Sequence, residues 1–169
     1  MYIMVSNATE GIQFGLLLVR SFPLLAPHRL AEAARFNLKY SDPSQITETA
    51  DKLRWYRYQK ALSQKDVADY AGIDRGTYTH YEKAGKDYYP VDKLKKLAEL
   101  FGVEITELMD EYNLFLYHDQ GKQIRAKREE LGMTVPQYAR YLGVQPSKLR
   151  RWEKNQTQIF KSTWEKYFK

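Results

Sequence analysis

The sequence predicts an all-α protein, and three observations carry that prediction. The chain repeats itself at a spacing of 71 residues. The offset pairs Arg54 with Arg125, Arg57 with Arg128, Ala68 with Ala139, Tyr70 with Tyr141, Gly72 with Gly143, Glu82 with Glu153 and Lys83 with Lys154, without a gap over about thirty positions. The apolar residues follow a helical period: Leu94, Leu97, Ala98 and Phe101 stand at i, i+3, i+4 and i+7, as do Ile105, Leu108, Met109 and Tyr112. Residues that start and stop helices bracket the repeat, with Ser63 and Thr134 at one end and Gly72 and Gly143 at the other.

The elements follow in chain order. Residues 1–45 read as an N-terminal arm of unassigned role. Its apolar run at 14–19 suits a short strand or a hydrophobic arm. It is too short to span a membrane, and the residues before it hold Glu10 and no Lys or Arg, unlike a secretory signal. A cytoplasmic location without membrane association is expected. Leu30, Ala33, Ala34 and Leu38 mark a short amphipathic helix, and Ser41-Asp42-Pro43-Ser44 marks a turn and a boundary. From Ser63 the pattern becomes a helix pair. Ser63 is an N-cap with Asp66 three residues on, and Val67, Ala68 and Ala71 share one face. Gly72 then suits a left-handed turn, and Asp74 caps a second helix whose Tyr78 and Tyr81 point inward. Ala68 sits where two steeply crossing helices need a small residue. The spacing from small residue to glycine to apolar anchors is that of a helix-turn-helix. The second copy repeats it with Thr134, Tyr138, Ala139, Leu142, Gly143, Val144, Leu149 and Trp152. Pro136 and Pro146 fall in first turns, where a missing donor is tolerated. Glu82 and Glu153 are expected to steady their own copies, by pairing with Arg57 and Arg128 or with nearby turn groups.

Composition limits the function. The 169 residues contain no cysteine, which excludes a disulfide framework, a zinc finger and a thiol nucleophile. The three histidines, His28, His80 and His118, are scattered, and neither a metal-ligand spacing nor a phosphate-cradling glycine loop is present. No enzyme activity, cofactor or metal is therefore expected. The net charge of +6 is uneven: residues 1–49 sum to 0, residues 50–115 to −1 and residues 116–169 to +7. A basic balance favours nucleic acid as partner, and the electrostatic weight lies in the last third.

The run Leu62-Ser63-Gln64-Lys65-Asp66-Val67-Ala68, followed by Gly72-Ile73-Asp74-Arg75-Gly76-Thr77-Tyr78 and Tyr81-Glu82-Lys83, resembles the Cro/repressor-type (xenobiotic-response-element) helix-turn-helix family. The resemblance continues through Pro90 and Leu94 to Leu108. It implies a lambda-repressor-like five-helix domain over residues 46–113, and a second, shortened helix-turn-helix over residues 118–169. The second copy has Val135 in place of Gln64, and only Ser162 to Phe168 to close it, so docking on the first domain through Leu114 to Tyr117 is expected.

The resemblance implies sequence-specific binding of double-stranded DNA by a transcriptional regulator. In this architecture the second helix of the motif enters the major groove. It implies that Arg75, Gly76, Thr79 and His80 face base edges, and that Thr77 and Gln64 meet phosphate. In copy two the outward set is Pro146, Ser147, Lys148, Arg150 and Arg151, expected on a solvated face. Copy one is thus expected to read bases, and the basic second copy to add phosphate affinity. Two arrangements are open to a tandem chain: a pseudo-dimer within one chain, or a homodimer that reads longer sites. The alternative is a protein-interaction module, antitoxin-like or scaffolding, that keeps the fold without binding DNA and engages a protein partner through its N-terminal segment.

Overall fold

Helix ends in this chain are set by local hydrogen bonds. The computed structural model describes residues 31, 33–36, 39, 40 and 42–169, and over these the chain is helices joined by turns. The apolar run at 14–19, Leu30 and Leu38 lie outside the described residues. Residues 31, 33–36 and 39 are helical, as the alanine pattern predicts, and a 3-10 turn follows at Pro43–Gln45. Next come α1 (Thr49–Gln59), α2 (Gln64–Ala71), α3 (Arg75–Tyr81) and α4 (Val91–Phe101). A 3-10 turn at Ile105–Leu108 leads to α5 (Glu111–Tyr117), α6 (Gln120–Glu130), α7 (Val135–Leu142), α8 (Pro146–Glu153) and α9 (Lys161–Tyr167).

The predicted caps are present. Ser63 accepts from the Asp66 N–H at 3.2 Å, and the Asp66 carboxylate accepts from the Ser63 N–H at 2.8 Å. Asp74 accepts from the Thr77 N–H at 2.8 Å and starts α3. Thr134 donates its N–H to Gln137 Oε1 at 2.8 Å. Gly72 and Gly143 end α2 and α7 at φ of +66° and +69°. A Cβ on Gly143 would meet nothing within 4 Å, so glycine is needed there for its backbone alone.

Two cores form. Leu53, Val67, Ala68, Ala71, Tyr78, Leu94, Leu97 and Leu108 are closed from solvent in the first. Ile124, Tyr138, Ala139, Leu149 and Trp152 are closed in the second. Ala68 and Ala139 are both at 0% exposure, at the crossings of α2 with α3 and of α7 with α8. A larger residue there would push the helices apart.

The periodic run from Ile105 to Tyr112 departs from expectation, because it is not one helix. Met109 is extended at ψ 141°, and Asp110 caps a new helix by accepting from the Asn113 N–H at 2.7 Å. The Asp110 N–H is itself taken by Thr49 Oγ1 at 2.9 Å. The break sends the side chains to different places. Leu108 and Met109 stay in the first core, while Tyr112 joins the second. Helix α5 therefore serves both cores: Leu114 packs against the first, and Tyr112, Phe115 and Leu116 against the second. Helix α5 thereby packs with α9 in the second core. Tyr112 and Phe115 lie 5.6 and 6.2 Å from the Trp164 ring of α9, and the Tyr112 hydroxyl donates to the Ile159 carbonyl at 2.6 Å.

A third, smaller cluster was not foreseen. Phe36, Ile46 and Trp55 are buried together, with Tyr40 and Tyr58 against them. It seats the helical residues before Lys39 on α1.

Candidate nucleic-acid interface

Helix α3 is amphipathic because its tyrosines are spaced for the core. Tyr78 and Tyr81 are buried, while Arg75, Gly76 and His80 are exposed on the other side. Arg75, the first helical residue, makes no side-chain hydrogen bond or ion pair among the described residues, so its guanidinium faces solvent unengaged.

Three of the expected contact residues are engaged within the protein. The Thr77 hydroxyl, like its N–H, is held by the Asp74 carboxylate. That hydrogen bond keeps the Asp74 carboxyl below its ordinary range. The Thr79 hydroxyl lies 2.8 Å from the Arg75 carbonyl and 3.1 Å from Gln64 Oε1. The Gln64 amide donates to Glu82 Oε2 at 2.9 Å. Gln64 is therefore a strut between α2 and α3, and Thr77 is part of a cap. The reason is the same for both: each lies one short side chain away from a carboxylate on its own scaffold.

Glu82 is the centre of that scaffold. Arg57 Nε and Nη2 donate to its two carboxylate oxygens at 2.5 and 2.8 Å, with both side chains under 10% exposed. Arg54 donates to the Glu82 carbonyl at 2.5 Å, and Arg57 Nη1 to the Leu62 carbonyl at 3.3 Å. Burial alone would lower the Arg57 pKa, but the hydrogen bond and charge of Glu82 raise it further. The same bonds recur 71 residues on. Arg128 Nε and Nη2 reach Glu153 at 2.6 and 3.4 Å, Arg125 donates to the Glu153 carbonyl at 3.3 Å, and Arg128 Nη1 to the Met133 carbonyl at 3.2 Å. Of the two partners foreseen for each glutamate, the arginine is the one used.

Helix α8 presents Ser147, Arg150 and Arg151 to solvent. Pro146 stands where copy one has Arg75, and Val135, in the place of Gln64, packs against the second core. Lys148 is a correction to the expected solvated face. It is half-buried, with its ammonium 3.9 Å from the Phe160 ring centre and 5.3 Å from that of Trp152. The residues after Glu153 fold back far enough to bring Phe160 beneath it, which the helix period could not reveal.

Sequence reasoning missed part of this face. A cleft of about 1000 Å³ lies beside α3 and is lined by Gln64, Lys65, Arg75, Thr79 and Lys83 together with Arg35 and Lys39. Lys83 carried a signal in its pairing with Lys154, whereas Arg35 is far in sequence and carried none. Among the described residues, no group of three His, Asp or Glu is placed to hold a metal, and no helix is long and apolar enough to cross a membrane.

Residues 50–114 match the helix-turn-helix domain family. Over 62 residues the chain is 36% identical to the cryptic phage CTXphi transcriptional repressor RstR of Vibrio cholerae, covering 37% of this chain and 55% of that repressor. This chain thus spans about half of the repressor's length. Over 70 residues it is 40% identical to an uncharacterized HTH-type transcriptional regulator of Methanocaldococcus jannaschii, covering 41% of this chain and 94% of that protein. No solved structure matches the chain. On this helix pair, its caps and those relatives, the chain belongs to the helix-turn-helix family of transcriptional regulators.

Proposed function

We propose that the chain binds double-stranded DNA sequence-specifically, with α3 in the major groove and Arg75 reading a guanine through a bidentate contact. The observation that carries this reading is the unengaged Arg75 guanidinium, exposed at the start of a helix whose opposite side is core. Gly76 and His80 lie beside it on the exposed side. Gln64 and Thr79 act by holding α2 against α3, and phosphate is met by their cationic neighbours Lys65 and Lys83. In the second copy Arg150 and Arg151, with Ser147, add phosphate affinity, and Lys148 contributes through packing. The recurrence of the Arg–Glu bonds supports a tandem reading in which one chain carries two recognition helices.

Selection of bound duplexes from a random pool tests the proposal. It is expected to return a defined sequence and, for two engaged helices, half-sites about one helical turn, roughly 34 Å, apart. Arg75→Ala is then expected to relax discrimination at one base pair by about 1–3 kcal/mol. Equal loss of affinity on selected and random duplex would refute base reading by Arg75. Absence of salt-dependent binding to any duplex would favour a protein-interaction role instead.

A further inference from the structure

The cleft beside α3 joins two parts of the chain that the helix-turn-helix pattern does not connect. One wall is α2, α3 and the turn after α3, with Lys65, Arg75 and Lys83; the other holds the helical residues Arg35 and Lys39. Among the described residues its lining holds a single acidic side chain, Glu82, whose charge is matched by Arg57, while Lys65 and Lys39 meet Asp69 and Asp51 only through exposed surface pairs. The described lining therefore carries more positive than negative charge, although residues 50–115 as a whole sum to −1.

The outer wall is pinned rather than merely near. Phe36 is 9% exposed and meets Tyr40 and Tyr58 edge-on, with ring centres 5.4 and 5.7 Å away. The Arg54 guanidinium lies 5.2 Å over the Phe36 ring, and the Tyr40 hydroxyl donates to Asp51 at 2.8 Å. These contacts fix the neighbouring Arg35, which is exposed and makes no side-chain hydrogen bond or ion pair among the described residues. Lys39 shares Asp51 at 3.3 Å through a side chain that is 62% exposed, a surface pair of little strength that an incoming phosphate can replace.

We propose that this cleft grips the sugar-phosphate backbone of the bound duplex, with Arg35 and Lys39 supplying phosphate contacts from outside the helix-turn-helix. The inference rests on the DNA-binding reading above. It gives the first copy the positive charge that its own helices lack. Phosphate contacts carry no base information, so the two residues set affinity and register rather than sequence choice.

The test uses the full chain and compares the salt dependence of binding, on the selected and on a random duplex, for the parent protein, Arg35→Ala/Lys39→Ala and the control Lys60→Ala/Lys95→Ala. The control removes the same charge at exposed positions outside the cleft. Each phosphate contact contributes about 0.9 to the slope of log affinity against log salt, so losing two should flatten it by about 1 to 2 units on both duplexes. Arg35→Lys/Lys39→Ala, which keeps one of the two charges, should restore about half of that change. Circular-dichroism melts of each variant separate loss of contact from loss of fold. A slope unchanged from the parent, or matched by the control, would overturn the clamp while leaving DNA binding intact. Failure of the parent to bind any duplex would instead remove the reading on which the clamp rests.

Discussion

Removing the Glu82 carboxylate should destabilise the first helix pair far more than an exposed charge would. In Glu82→Ala, Arg57 keeps its buried guanidinium but loses bonds of 2.5 and 2.8 Å, and Gln64 loses its 2.9 Å acceptor. Breaking one side of a buried ion pair costs about 3–5 kcal/mol, because the remaining charge stays out of water. Glu153→Ala should cost less, about 2–3 kcal/mol, since the Arg128 side chain is 14% exposed against 9% for Arg57, and its second bond is 3.4 Å. Native-state hydrogen exchange read on peptides from 64–81 and 135–153 resolves the two cores separately. A cost of 3–5 kcal/mol corresponds to exchange about two to three and a half powers of ten faster in the first peptide. The paired replacement Arg57→Met/Glu82→Leu should recover most of that loss, since no buried charge is left alone. Less than tenfold acceleration in Glu82→Ala, or no recovery in the double variant, would refute the reasoning.

Further outcomes follow from other features. Gly121→Ala, in the first turn of α6, should destabilise although alanine is the better helix former, because its Cβ would lie 2.7 Å from the Glu153 carbonyl oxygen; a chemical denaturation midpoint equal to the parent's would contradict this. Lys148→Ala should lower stability by about 0.5–1 kcal/mol through loss of the ring contacts, and change the salt slope of DNA binding less than Arg150→Ala or Arg151→Ala alone; an equal change would contradict this. Burial raises Tyr112 and Tyr138 to about 12, and burial with the Glu107 hydrogen bond raises Tyr56 to about 12. Their folded values exceed the unfolded one, so the stability they contribute is present below about pH 10 and lost as pH rises towards 12. Absorbance at the phenolate band should therefore lag behind that of the denatured protein across this window, and coincident titration curves would disprove it.

What the sequence revealed and what it hid divide along physical lines. Ser63, Asp74, Gly72 and Gly143 act within a few residues of themselves, so their roles as caps and turns were legible from type and spacing. The buried alanines and the Arg–Glu pairs were legible because the repeat presented them twice. The break at Met109 and Asp110 was not, since it is held partly by Thr49, 61 residues away. The same distance in sequence hid the seating of Phe36 on α1 and the approach of Phe160 to Lys148. Gln64 and Thr77 were expected at phosphates from resemblance, which carries residue identity but not which neighbour a side chain already holds.

Helix α5 makes this a chain that resists dissection. Severed before residue 111, the upstream fragment would lose Leu114 from its surface packing, and the downstream one would keep it as a bare apolar patch. Severed after residue 117, the downstream piece would be left without Tyr112 and Phe115 and with the indole of Trp164 uncovered. Neither incision yields two self-sufficient halves, so gene fragments cut at the apparent border between the repeats should give products that clump or melt, and swapping one half for another helix-turn-helix unit will succeed only if the graft brings its own replacement for that shared segment.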